Sequence, residues 1–94
     1  MFENERYLTS GVQARIPPPI QLLIWSCIDT MPKPKDYLQV FRLSVCKEGQ
    51  RIIHAQEEPE YQKTLVFPCE TPTNEKVYVI DDGEHTTMLL AEEY

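Results

Sequence analysis

Three carboxylates and an imidazole fall within five residues at Asp81-Asp82-Gly83-Glu84-His85, the densest set of ligand-type side chains in the chain. Hard oxygen donors suit Mg²⁺ or Mn²⁺. Asp81, Asp82, Glu84 and His85 are therefore the metal-ligating candidates, and with His54 they would serve a metal-dependent hydrolase or nuclease. The same residues also suit a hairpin tip, where Asp and Gly meet the turn geometry and the charges face water. EF-hand spacing is absent, and no second histidine stands at metal-ligand spacing on the same element. The turn reading is preferred, and no cofactor is expected.

Other reactive side chains are scattered. His54 lies in a strand-like run, where a half-buried, hydrogen-bonded imidazole is the simpler reading than a general base. Cys27, Cys46 and Cys69 have neither a neighbouring histidine nor a glycine-rich elbow. Cys27 falls on an apolar helical stripe and reads as a small core residue. Three glycines, Gly11, Gly49 and Gly83, lie too far apart for a phosphate-cradling loop. No catalytic residue is assigned.

The element that must position the rest is Ile16 to Met31. Ile20, Leu23, Ile24, Cys27, Ile28 and Met31 recur at the offsets of one helical face. Prolines before it are tolerated in the first turn, and Pro32 and Pro34 forbid continuation. Leu22 and Trp25 fall off this stripe, so the sheet beneath cannot cover both. They are the candidate binding residues, an apolar pair for another protein or a second copy.

Strand-like runs fill the remainder. Arg6 to Ser10 reads as a short strand closed by Gly11. Tyr37 to Cys46 and Arg51 to Glu57 read as a hairpin over Lys47 to Gln50, with Cys46 opposite Arg51 and Leu43 opposite His54. That register puts Phe41, Leu43, Val45 and Ile52 on the floor beneath the helix. The other face holds Leu38, Val40, Ile53 and Ala55 among Arg42 and Ser44, and is not purely polar. Tyr61 to Phe67 adds a strand. Lys76 to Asp81 and Thr86 to Ala91 form a second hairpin, in which a four-residue loop sets Val79 against Met88 and Val77 against Leu90.

Composition bounds the rest. Ninety-four residues, 41% of them hydrophobic, make one domain over 1–94 that can bury its own core. A net charge of −6 argues against a general nucleic-acid binder. Tyrosines do sit beside basic residues at Arg6-Tyr7 and Tyr61-Gln62-Lys63, but packing on neighbouring strands explains them better than stacking on bases. No leader pattern opens the chain, and no window reaches the apolar length of a membrane span. The odd cysteine count forbids a complete disulfide framework. The expectation is a cytoplasmic protein with reduced thiols, no membrane partner and no nucleic-acid partner.

The segments MFENERYLTSGV, DYLQVFRLSV, RIIHAQEEPEY and VIDDGEHTTMLLAEEY together resemble the domain of unknown function 960 family, small proteins of low-GC Gram-positive bacteria. The resemblance spans nearly the whole chain. It implies a compact cytoplasmic α+β protein and brings no activity and no catalytic residues. The expected fold is α+β, one main helix on a mostly antiparallel sheet of five to six strands. The leading functional expectation is a non-enzymatic protein-interaction module. The alternatives are the metal-dependent hydrolase or nuclease above and an acidic nucleic-acid mimic, which its charge and small size suggest.

Overall fold

A computed structural model describes residues 1–94. Its six strands are β1 (Glu5–Leu8), β2 (Leu38–Cys46), β3 (Gly49–Gln56), β4 (Tyr61–Phe67), β5 (Glu75–Asp81) and β6 (His85–Leu90). They form a single mixed sheet in the order β1-β6-β5-β2-β3-β4. Only β1 and β6 run parallel; every other neighbouring pair is antiparallel.

Helix α2 (Pro18–Thr30) is the expected main helix. Pro18 and Pro19 occupy its first turn, where a missing N–H breaks no helical bond. Ile20, Ile24, Cys27 and Ile28 are its buried residues. Each isoleucine contributes about 1.5–3 kcal/mol by leaving water. Leu23 is half-buried at the edge of that stripe. Lys35 donates to the Ile28 carbonyl at 2.8 Å, placing a cation at the negative end of the helix.

A second, six-residue helix, α1 (Ser10–Arg15), precedes it. Ser10 and Gly11 belong to this helix, which corrects their expected place at the end of a strand. Thr9 is the N-cap: its hydroxyl accepts the Val12 N–H, satisfying a donor the helix leaves unpaired. A short 3-10 turn, Ala91–Glu93, follows β6 and closes against α1. There Glu93 accepts from the Thr9 hydroxyl at 2.7 Å and from the Leu90 N–H at 2.8 Å.

The helices, with Phe2 and Ile16, cover one face of the sheet. Beneath them lie Phe41, Leu43, Ile52, Val77, Val79, Met88 and Leu90, all buried in one apolar cluster. The β5–β6 register matches the longer loop, with Val79 opposite Met88 and Val77 opposite Leu90. The β2–β3 register is corrected: Cys46 faces Gly49, Leu43 faces Ile52 and Phe41 faces His54. Lys47 and Glu48 alone make the turn. Gly49 has φ of 134°, and a Cβ there would stand 2.7 Å from the Cys69 backbone nitrogen and the Phe67 carbonyl oxygen. Only glycine fits that approach. Since the correction is two residues, the faces survive it. Val45, however, lies beyond the helical cover and is exposed.

Where helix stops covering the inner face, glutamines take over. Gln50 accepts the Thr73 N–H at 2.8 Å and donates to the Thr73 carbonyl at 3.1 Å, pinning the loop before β5. Gln56 accepts from the Asp36 N–H and donates to the carbonyls of Pro34 and Pro59. These side chains satisfy irregular backbone that would otherwise be buried without partners.

Candidate functional site

The Asp81–His85 loop is built as a turn and a tether. Asp81, buried at the end of β5, accepts the Phe2 N–H at 2.7 Å with Oδ2. Its Oδ1 accepts from Asn4 Nδ2 at 3.0 Å and from the Gly83 N–H at 2.8 Å. Burial pushes the carboxyl up, but these donors outweigh it and hold Asp81 below the usual carboxylate range. Asp82 Oδ1 accepts the N–H groups of Glu84 and His85, each at 2.9 Å. The His85 ring turns edge-on to Tyr7. Asp81, Asp82, Glu84 and His85 are thus not drawn together as a ligand set. No group of three or more His, Cys, Asp or Glu side chains stands where it could hold a metal ion.

His54 is fully enclosed. It stacks on Phe41 with centroids 4.3 Å apart and meets the edge of Tyr61 at 5.5 Å. Its Nε2 lies 2.7 Å from Gln39 Oε1, and Gln39 Nε2 donates to Gln56 Oε1 at the same distance. Since a Gln oxygen only accepts, Nε2 carries the proton and Nδ1 is left with a bare lone pair. Burial, with help from Lys63, lowers the imidazole pKa to about 4. The ring is a neutral part of the buried glutamine network: the hydrogen bond expected of a strand histidine is made, but the ring is fully buried rather than half-buried.

Leu22 and Trp25 part company. Leu22 is 69% exposed, whereas Trp25 is half-buried and packs against the core cluster. The guanidinium of Arg6, on β1, lies 4.8 Å above the Trp25 ring and pairs with Asp29 one turn on. The expected apolar pair is one lone leucine beside a covered tryptophan.

The surface the fold leaves bare is the other face of the sheet. Side chains alternate along a strand, and every helix lies on the face of Phe41 and Val79. The opposite face carries Leu38, Val40, Ile53, Ala55, Tyr78 and Ile80, all partly exposed. Tyr94 sets its ring edge-on to Tyr78, at 5.5 Å between centroids. At one end of this face Leu38, Val40, Arg42 and Ala55 line a concavity of about 240 Å³ beside Asp36 and Glu57. Arg42, Arg51 and Lys76 stand on the same face, all exposed. The strand alternation already placed Leu38, Val40, Arg42, Ile53 and Ala55 together. Arg51, two residues from Ile53 on the same strand, falls in with them by the same alternation, whereas nothing local in the sequence singled out Lys76 or Tyr78 as their neighbours.

Residues 5–93 match the family described as staphylococcal protein of unknown function (DUF960), and the chain belongs to that family. It is also similar to a solved structure, a protein of unknown function from Enterococcus faecalis. The two share 23% identity and a TM-score of 0.83, over 98% of this chain and 92% of that one. At that identity the likeness concerns the fold alone. No curated protein matches the chain.

Proposed function

We propose that this member of the staphylococcal family is a small non-enzymatic interaction module, and that it docks a protein on the uncovered face of its sheet. One observation carries the reading: both helices lie on one side of the six strands, and on the other side only Leu89, beside Tyr78 and the C-terminal Tyr94, is buried. The bare side presents branched aliphatics and tyrosines where a solvated antiparallel sheet would show polar residues. Contiguous apolar surface rimmed by polar side chains marks interaction sites, and tyrosine is enriched there. The titratable groups that suggested catalysis are engaged in the fold, Asp81 with the N-terminal segment and His54 with Gln39. A cytoplasmic setting with reduced thiols is part of this reading.

Capture of partners from host extract tests it with three tagged chains: unaltered, Val40→Glu with Tyr78→Ser, and Leu22→Lys. The expected result is a protein retained by the unaltered chain and by Leu22→Lys but lost by the double variant. Loss with Leu22→Lys and retention by the double variant would move the interface to α2 and overturn the proposal.

A further inference from the structure

On the bare face Arg42 and Lys76 are directly opposed across β2 and β5. Arg51 stands opposite Ser44, one same-face step along β2 from Arg42. Like charges directly opposed across strands destabilise a sheet, and this chain has 15 acidic residues against 9 basic ones with which to offset them. It does not. The ion pairs of the fold involve Arg6 and Arg15 only, and no carboxylate pairs with the three cations on this face. Lys76 has a Tyr78 ring at 5.5 Å as its neighbour instead. Arg42 also lines the concavity floored by Leu38, Val40 and Ala55. That space, about 240 Å³, is below the usual range of small-molecule pockets, roughly 300–1,000 Å³. It suits one side chain.

We propose that the face takes an extended acidic protein segment, with one carboxylate on Arg42, Lys76 and Arg51 and one aliphatic side chain in the adjoining concavity. This rests on the docking reading above and names the partner's chemistry. Val40 and Arg42 are two residues apart on one strand, about 7 Å. An extended segment spans that distance between residues i and i+2, which point the same way. The segment recognised therefore carries Glu or Asp two residues from Leu, Ile or Val. Arginine suits the role because its planar fork holds a carboxylate through two parallel hydrogen bonds. Asp36 and Glu57 on the far rim of the concavity repel a second negative charge and set the polarity of the segment. They also disfavour single-stranded nucleic acid, whose phosphates recur at every nucleotide and would meet those carboxylates after leaving the cations.

The test is an amide-spectrum titration of the full chain with a capped peptide of sequence Gly-Glu-Ser-Leu-Gly. Comparison probes are the same peptide with Gln for Glu, the same with Lys for Glu, and a short oligothymidylate. The expected result is a set of shifts at Arg42, Ile53, Lys76 and Tyr78 with the acidic peptide, fading as salt is raised to about 0.5 M. The Gln and Lys peptides should bind at least roughly tenfold more weakly. Arg42→Glu with Lys76→Glu should lose the acidic peptide and keep the amide spectrum of the fold, both side chains being exposed. The Gln comparison uses the unaltered chain and gives its answer even if that variant fails to fold. Silence with the acidic peptide overturns the inference, as does binding of oligothymidylate alone. If the peptide is silent while Val40→Glu with Tyr78→Ser still abolishes partner capture, the docking face stands and only its acidic partner falls. If that variant captures normally, the docking reading falls as well.

Discussion

The carboxylate of Asp81, on the fifth strand, accepts the backbone N–H of Phe2 at 2.7 Å, seventy-nine residues away in sequence. Phe2 holds φ of 69°, an uncommon conformation for a phenylalanine. Its ring is buried in the core cluster. What reads as a metal ligand in sequence is the anchor that lets the N-terminal segment close the core. Asp81→Ala should cost on the order of 3 kcal/mol in urea unfolding, since it removes a charged acceptor and leaves the buried Phe2 N–H unpaired. A loss within experimental error would mean that the N-terminal segment contributes nothing to the fold.

Acid should lower the stability of the fold over two successive pH ranges. His54 titrates at about 4 in the folded chain, against about 6.5 unfolded. Between those values the unfolded chain binds the extra proton, so stability falls as pH drops from about 6.5 to about 4, by on the order of 3 kcal/mol. Asp81 has a lowered pKa, so its contribution is present above the unfolded carboxylate value and is lost as pH falls through the folded one. His54→Gln keeps a donor for Gln39 and should flatten the slope over the first range while leaving the second. An unchanged slope above about pH 4 would place the titrating group elsewhere.

Two neighbours on the main helix should behave oppositely. Ile24 is wholly buried, and Ile24→Ala should cost about 2–5 kcal/mol through lost burial and a residual cavity. Leu22→Lys, at a 69% exposed site, should leave the melting temperature nearly unchanged. Chemical denaturation of both variants checks the helix stripe; a large loss from Leu22→Lys would rotate the helix relative to the sheet.

The thiols should separate by burial. Cys27 is 8% exposed and burial raises its pKa, so it should react slowly with a thiol reagent in the folded state. Cys46 and Cys69 are half-buried and should react faster. Cys69 packs partly against the core cluster, so its rate should stay below that of the unfolded chain. Mass-resolved labelling of the three sites reads this directly.

Much of the fold is legible in sequence because its signals are local and periodic. Ile20, Ile24 and Ile28 repeat at helical spacing, and the prolines bracket them. The pairing of Val79 with Met88 follows from matching apolar residues across the β5–β6 loop. The same matching misplaces the β2–β3 turn by two residues, since a two-residue shift preserves the apolar face. What fixes that register is the approach of Gly49 to Cys69, which is tertiary. The first helix is hidden because it is only six residues long and buries Val12 alone. Thr9 as its cap is the readable signal. The docking face is half legible. Alternation separates Val40, Arg42 and Arg51 from Phe41, but only the assembled sheet shows that no second layer covers them and that Lys76 joins them.

The docking face is tested most directly by installing a photo-reactive phenylalanine analogue in the living host, at Tyr78 in one chain and at Leu22 in another. Tyr78 lies on the bare face of the sheet and Leu22 on the outer side of the helix. Docking on the sheet predicts a discrete crosslinked adduct with one identifiable protein from the Tyr78 position and none from the Leu22 position. An adduct from Leu22 with none from Tyr78 would contradict it.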